Sequence, residues 1–436
     1  MSTSASAGPA GSAGVVLHED PPADDLLAMV AKAPPDLLDL GQKRLLGNYR
    51  QAPIVLERGQ GCEVWDTTGK RYLDLAAGVA VTALGHAHPK LTAAIAEQAG
   101  TLIHASNYFY NKENLLLADE LCEKTGYDRA FFCNSGAEAN EALFKMARRH
   151  FWQKGDKERF RYLAFHASFH GRTMGAVTLT GTPKYKEGFG PPLSGITHVA
   201  YGDLDAVKKE MGPDVAGVFV EPVQGEGGVL PPPAGFFAGL RELCDRSGAL
   251  MLVDEVQTGI GRTGRFLGQD HEGVRGDAIS LAKGLAGGVP IGAICIGEHL
   301  AAALPPGTHG STFGGNALAS AAARTVLRVL DEEKLMQNAV ARGEQLAAGL
   351  RRLVEKYPKL AVGERGRGLL RGLILAPGLE PRTLLSATVE HGLLLTAAGA
   401  NVLRFTPPLV VTEAQIDEGL ARVDAALSSL PTPTAR

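Results

Sequence analysis

The chain has 436 residues, with 44 Lys and Arg against 47 Asp and Glu, a formal net charge of −3 and 45% hydrophobic residues. This length and apolar content allow two or three domains and a large core, and a small, sign-mixed charge argues against a nucleic-acid groove or a membrane surface as the partner. No apolar run is long and uninterrupted enough to span a bilayer, and the 54 glycines cluster in short motifs, as in a loop-rich α/β enzyme.

Residues 1–24 are rich in Ser, Ala, Gly, Pro and Asp, with too little apolar surface to offset the entropy of ordering, so a disordered tail is expected. The first basic residue is Lys32 and the N-terminus is poor in Arg, so neither a signal peptide nor a transit peptide is read there. Cys62, Cys122, Cys133, Cys244 and Cys295 are odd in number and form no Cys-x-x-Cys pair, which fits free thiols in a reducing cytosol. Leu26–Leu46 has a weak helical period broken by Pro34 and Pro35, and from Tyr49 the chain reads as folded. Apolar β-type runs follow at Ala130–Cys133, Tyr162–Phe165, Thr197–Tyr201, Gly217–Val220, Ala249–Val253 and Ala278–Leu281, with helical patterns between them. Such alternation predicts a mostly parallel sheet covered by helices, an α/β fold. After Gly315 the texture changes: Asn316–Leu330 and Lys334–Tyr357 read as long helices, and Thr412-Glu-Ala-Gln415 is a capping box that opens a last helix. A smaller α+β domain is expected there.

The motifs lie mostly at strand ends. Asn134-Ser135-Gly136-Ala137 follows a strand and opens a helix, where free amides suit either a bound phosphate or an ordinary cap. In Phe165-His-Ala-Ser-Phe-His-Gly-Arg-Thr, Phe169 suits stacking on a flat ring or core packing, and Arg172 a substrate carboxylate or a surface ion pair. His166 and His170 have the spacing of a helical metal pair, but Gly171, the strand-like lead-in and the lack of a third ligand argue against a metal. His86-Ala-His88-Pro89 reads as a tight turn rather than a ligand pair. Gly259-Ile-Gly-Arg-Thr-Gly264 matches a dinucleotide fingerprint in letters only, because the glycines that follow leave it no helix to open. Glu226 sits among glycines after a strand, as a pocket acid or a solvated turn residue. Ser311 and Thr312 offer hydroxyls to a phosphate or substrate, or merely turn the chain between domains. Arg404 lies in an apolar strand and needs an anion if buried, either Glu226 or a substrate carboxylate.

Two further residues carry the most chemistry. Asp254 ends one apolar run, and Lys283 follows another among glycines. Pyridoxal phosphate needs this pair: an amine to bond its aldehyde, and a carboxylate to keep its ring nitrogen protonated.

The ordered set Gly-Val-Ala-Val-Thr-Ala-Leu-Gly-His-Ala-His-Pro, Asn-Ser-Gly-Ala-Glu-Ala-Asn-Glu, Phe-His-Gly-Arg-Thr, Glu-Pro-Val-Gln-Gly-Glu-Gly-Gly, Asp-Glu-Val-Gln-Thr-Gly, Ala-Lys-Gly, His-Gly-Ser-Thr-Phe-Gly-Gly-Asn and Leu-Arg-Phe-Thr-Pro-Pro resembles the class III pyridoxal-phosphate aminotransferases of fold type I, over roughly residues 45–430. Within that family the likeness is to the acetylornithine-type branch. The resemblance implies a tail at 1–38, a segment at 39–85 packing with the small domain, a large cofactor domain at 86–315 and a small domain at 316–436. It implies Lys283 as the cofactor-bearing lysine and proton shuttle, Asp254 at the ring nitrogen, Val256 and Phe169 on the ring faces and Gln257 at the ring hydroxyl. Ser135, Gly136 and Ala137 would hold the phosphate, joined by Thr312 reaching into the other subunit of a homodimer. Many relatives have Thr where this chain has Ala137, which keeps the amide and loses a hydroxyl.

Arg172, Ser311, Glu226 and Arg404 would bind the substrates, N-acetylornithine and 2-oxoglutarate or glutamate. The implied reaction is a cytoplasmic transamination in arginine biosynthesis. Ornithine, succinylornithine, succinyl-diaminopimelate and 4-aminobutyrate are the alternative substrates, and an aminomutase is the alternative reaction. Ornithine enzymes carry Tyr where this chain has Val79, which favours the N-acylated substrate.

Overall fold

Strands that are apolar on both faces must be covered on both faces, and this rule organises the protein. The computed structural model describes residues 36–430, and the chain divides into two compact units after Val55. All but the last three positions of the expected tail lie outside the described residues. There Asp36 caps a helix, Leu37–Arg44, by accepting from the Asp39 amide at 2.9 Å.

The second unit begins with an antiparallel meander of β1 (Leu56–Gln60), β2 (Glu63–Asp66) and β3 (Arg71–Asp74). The central sheet has seven strands: β4 (Arg129–Cys133), β5 (Arg161–Phe165), β6 (Ile196–Val199), β7 (Val215–Val220), β8 (Leu250–Asp254), β9 (Ala278–Leu281) and β10 (Gly292–Ile296). Their order is β4-β10-β9-β8-β7-β5-β6. Six of these are the apolar runs of the sequence, each displaced by two residues or fewer at either end. Strand β6 stops at Val199 rather than Tyr201, because Gly202 at φ 89° and the Asp203 helix cap turn the chain away. Strand β10, which the apolar-run reading misses, runs antiparallel to both β4 and β9. Every residue of β7 and β8 is buried. On one side packs the helix Gly136–Gln153, whose Leu143, Met146, Ala147 and Phe151 enter the core as their spacing predicts.

The C-terminal part carries the two long helices, Ala317–Glu332 and Leu335–Lys356. A second sheet follows, of β11 (Ala361–Arg367), β12 (Leu370–Leu375), β14 (Thr396–Ala398) and β15 (Val402–Phe405), ordered β11-β12-β15-β14. The two-residue β13 (Leu393–Leu394) leaves that sheet and pairs in parallel with β3, joining the start of the unit to its end. The capping box forms: Thr412 Oγ1 accepts from the Gln415 amide, and Gln415 Oε1 accepts from that of Thr412.

One short segment departs from ordinary backbone geometry. Ala77, Gly78, Val79 and Ala80 have φ of 48°, 59°, 66° and 65°, a left-handed turn in which only one residue is glycine. For L-residues that conformation costs about 1–2 kcal/mol each. Asp74 holds the turn by accepting from the amides of Ala76 and Ala77, both at 2.9 Å, and His86 Nε2 braces its other oxygen at 2.8 Å. The His86-Ala-His88 segment is thus a tight turn, with Ala87 at φ 49°, as its sequence predicts.

Candidate active site

Strands β5, β7, β8 and β9 run in the same direction, so the loops that leave their carboxyl ends gather on one edge of the sheet. A cavity of about 430 Å3 opens there. Around it the structure brings together Ser135, Gly136, Ala137, Phe169, Arg172, Glu226, Asp254, Val256, Gln257 and Lys283 from five separate motifs.

Asp254 is anchored on both oxygens. Its Oδ2 accepts from Asn140 Nδ2 at 2.7 Å and lies 2.7 Å from His170 Nδ1, while Oδ1 accepts from the Val256 amide at 3.0 Å. Asn140 is fixed in turn, donating to the His170 carbonyl at 2.8 Å and accepting from Ser280 Oγ at 2.8 Å. A buried carboxylate held this way points in one direction and needs no further partner from the protein. His170 therefore serves Asp254, and His166 stacks against His198 instead.

Across the cavity, removal from bulk water pushes the Lys283 amine down to about 8, although the carboxylates of Glu226, Asp254 and Glu221 oppose the shift. Lys283 also sits at φ 42°, a conformation rare outside glycine, just beyond the end of β9. Glu221 is buried where β7 ends and accepts from the Phe169 amide at 3.2 Å. Burial and the neighbouring Asp254 charge raise its carboxyl well above the usual range.

Arg404 is 2% exposed, and its Nη1 lies 2.5 Å from Glu226 Oε1 and 3.1 Å from Gln257 Oε1. Burial alone would raise Glu226, but the Arg404 and Lys283 charges outweigh it and hold its carboxyl below the usual range. Gln257 thus contacts Arg404 as well as facing the cavity.

At the far end, Ser135 caps the helix Gly136–Gln153 through its Oγ, which accepts from the Glu138 amide at 3.2 Å. Among the described residues the amides of Gly136 and Ala137 find no protein acceptor. A Cβ on Gly136 would meet Val256 Cγ1 at 2.7 Å, so the helix start and the Val256 side chain close on one another. Free amides, a helix dipole, a flat slot between Val256 and Phe169, an amine and an anchored carboxylate are the donor set that pyridoxal phosphate requires. The residues present fit that group.

Arg172 is exposed and faces the cavity, with its guanidinium 3.8 Å from the Tyr185 ring centroid. Ser311 and Thr312 are not in this cavity. They line a separate groove beside the exposed Tyr108 and Tyr110, and Ser311 Oγ accepts from Asn134 Nδ2 at 3.1 Å. Glu221, Asn140 and His170 are the site residues that sequence reasoning does not single out for the cofactor. Glu221 and Asn140 lie inside quoted motifs, so their position beside strand ends was the only available signal. Gly259–Gly264 forms turns rather than a helix start, as expected, and Arg262 there donates to the carbonyls of Leu369 and Pro407.

A family model for class-III aminotransferases matches residues 46–427, and the chain belongs to that family. It is accordingly a pyridoxal-phosphate-dependent aminotransferase. The chain is 50% identical over 382 residues to the acetylornithine aminotransferase of Myxococcus xanthus, covering 87% of this chain and 95% of that one. Among solved structures it is similar to the ornithine aminotransferase from Toxoplasma gondii ME49, with a TM-score of 0.88 and 35% identity over 93% of this chain and 97% of that one. It is also similar to the N-acetylornithine aminotransferase from Stenotrophomonas maltophilia K279a, with a TM-score of 0.78 and 38% identity over 90% of this chain and 99% of that one.

Proposed function

We propose that the protein transfers the amino group of N2-acetylornithine to 2-oxoglutarate, giving N-acetylglutamate 5-semialdehyde and glutamate, a step of arginine biosynthesis. The observation that carries this reading is the contrast between two arginines around one lysine: Arg172 lines the cavity of Lys283 and is open, whereas Arg404 lies behind Glu226, which masks it. The two substrates differ in the way that these arginines differ. Acetylornithine bears its carboxylate far from the reacting amine, and glutamate bears one on the reacting carbon. The acetylornithine aminotransferase relative at 50% identity supports the choice, as does Val79, which offers a free α-amine no hydroxyl.

Bound pyridoxal phosphate supplies the electron sink and carries the amino group between the two half-reactions. Lys283 would bear it, Asp254 would face its ring nitrogen, Phe169 and Val256 its ring faces, Gln257 its hydroxyl, and Gly136 and Ala137 its phosphate. Lys283 Nζ would take the proton from the amine-bearing carbon of the donor in one half-reaction and deliver a proton to the keto-derived carbon of the acceptor in the other, a role suited to an amine that titrates near working pH. Arg172 grips the distal carboxylate of acetylornithine. Glu226 keeps Arg404 neutralised during that half-reaction and releases it to the α-carboxylate of glutamate or 2-oxoglutarate in the other.

The active form in this reading is a homodimer. Ser311 and Thr312 lie in a groove flanked by exposed Tyr108, Phe109, Tyr110 and Phe313, an apolar surface fit to meet a second copy, where Thr312 would reach the phosphate of the partner site. The division at 86–315 and 316–436 belongs to the same reading, as does a cytoplasmic location, which is supported by the five free cysteines. No helix among the described residues is long and apolar enough to cross a membrane.

The test adds N-acetylornithine, ornithine and 4-aminobutyrate separately to the holoenzyme without keto acid and follows the yellow absorbance of the cofactor. Bleaching by N-acetylornithine at far lower concentration than by the others is the expected result. Equal or better bleaching by ornithine would move the substrate within the family.

A further inference from the structure

The loop after the helix Met174–Leu179 contains no residue of the cavity wall, yet one of its side chains packs against two residues of that wall. Tyr185 lies at the end of a single 3-10 turn, Pro183–Tyr185. Its ring receives the Arg172 guanidinium face-on at 3.8 Å and meets the Phe169 ring edge-on, with centroids 5.8 Å apart and planes at 89°. Arg172 is also within 5.5 Å of the Phe169 ring centroid, so the guanidinium rests in an aromatic corner. Among the described residues Arg172 forms no ion pair. The carboxylate that meets the residues just after Arg172 comes from the helix Gly136–Gln153 and is engaged there: Glu141 Oε1 accepts from Thr173 Oγ1 at 2.6 Å and from the amides of Gly175 and Ala176 at 2.8 and 3.2 Å. The loop is pinned in place by Lys186 Nζ, which donates to the Thr178 carbonyl at 3.0 Å, and by the Leu193 amide on Thr178 Oγ1 at 3.3 Å.

We infer that Tyr185 is the residue that positions Arg172 for the carboxylate of the amino donor. An aromatic face orients a guanidinium without using any of its N–H donors, whereas a carboxylate partner would consume two of them and cancel the charge. Glu141, tied to the helix start, leaves the arginine uncompensated. The result is a cation seated on an aromatic face, with no hydrogen-bond acceptor on its N–H groups among the described residues, that lines the same cavity as Lys283. Tyr185 touches neither reacting atom nor cofactor. Its effect passes through Arg172, and it acts on selectivity for a donor with a distal carboxylate.

This inference rests on the proposed role of Arg172, and the experiment separates the two. Holoenzyme variants Tyr185→Leu, Tyr185→Phe, Tyr185→Trp and Arg172→Ala are compared on N-acetylornithine and on N-acetyl-1,4-diaminobutane, which has the same reacting amine and no carboxylate. Tyr185→Leu is expected to raise KM for N-acetylornithine by about fivefold to thirtyfold with kcat within about twofold of wild type. Tyr185→Phe and Tyr185→Trp, which keep an aromatic face, should stay near wild type, and no Tyr185 variant should alter the reaction of the decarboxylated analogue. Should Tyr185→Leu fail to fold, Tyr185→Met takes its place as a flexible apolar side chain without a π face. An unchanged KM in both apolar variants, or an equal loss on both substrates, overturns the inference while a large loss in Arg172→Ala leaves the role of Arg172 standing. If Arg172→Ala itself leaves the preference for N-acetylornithine over the analogue intact, the carboxylate reading of Arg172 fails and the inference falls with it.

Discussion

Replacing Glu226 by glutamine removes the charge that faces Arg404 and nearly preserves the shape of the side chain. Arg404 is 2% exposed and would keep two neutral acceptors, Gln257 Oε1 and Thr396 Oγ1, each at 3.1 Å. Removing one partner of a buried pair costs about 3–5 kcal/mol. The Glu226 side chain is 24% exposed and the new amide oxygen can still accept, so about 2 kcal/mol of stability is the expected loss. The larger consequence is for selectivity. Without its counter-charge Arg404 stands ready for an α-carboxylate, and the methylene amine of N-acetylornithine meets an unmasked cation. The ratio of kcat/KM for the N-acetylornithine half-reaction to that for glutamate should fall by about tenfold to a hundredfold, equivalent to about 1.4–2.8 kcal/mol. Stopped-flow single turnovers of each half-reaction, followed by the cofactor absorbance, give both numerators and denominators. A ratio that stays within twofold of wild type, in a variant whose thermal unfolding shows it folded, would refute the gating role of the pair.

Three other perturbations test separate parts of the site. Because the Lys283 amine is lowered to about 8, it loses its proton as pH rises through that value, so roughly a quarter is already neutral at pH 7.5 against about 0.1% for an ordinary lysine. The rate at which the cofactor-free protein takes up pyridoxal phosphate should follow a titration near pH 8, and a midpoint above pH 10 would contradict the desolvated amine. Gly171 sits at φ 133°, and a Cβ there would meet the Ala137 Cβ at 2.6 Å and that of Ala176 at 2.9 Å. Gly171→Ala should therefore cost at least about 2 kcal/mol in unfolding experiments and weaken cofactor binding by displacing the Ala137 amide, and an unchanged cofactor Kd would count against that placement. Asn140→Leu removes a 2.7 Å donor from Asp254 and keeps the branched skeleton of the side chain, with bulkier methyl ends. A loss of about 1–3 kcal/mol in stability is expected, together with a slower half-reaction on N-acetylornithine. A stable variant of undiminished rate would show that His170 and the Val256 amide suffice to hold the carboxylate.

Much of this molecule is legible in its sequence. Strands β7 and β8 announce themselves as continuous apolar runs because both of their faces are covered, and the helix Gly136–Gln153 shows its core face at the spacing of one helical stripe. Lys283, Asp254 and Glu226 stand out beside strand ends and Arg404 inside an apolar strand, because buried charges are costly without a purpose. The convergence of Lys283, Asp254 and Glu226 on a single cavity follows from the parallel direction of the strands, which any alternating pattern of this kind predicts, whereas Arg404 arrives from the second, antiparallel sheet.

The remaining features depend on contacts between distant parts of the chain, which local pattern does not encode. Strand β10, Gly292–Ile296, is as long as β4 and β8, but it pairs antiparallel at a point where the parallel alternation gives no place for a further strand. The parallel pairing of β13 with β3 joins residues more than 300 positions apart and involves only two residues of β13. The left-handed turn at Ala77–Ala80 contains one glycine, and what stabilises it is the pair Asp74–His86 together with Thr406, whose Oγ1 donates to the Ala76 carbonyl at 2.7 Å. The roles of Asn140, His170 and Tyr185 likewise exist only once the sheet has placed each beside its charged partner. Sequence by itself determined which elements form and which residues carry charge into the site, because burial and propensity act locally. Tertiary structure alone decided which of those charges is masked and which left free, because that depends on distances of a few ångströms between segments that the chain does not connect.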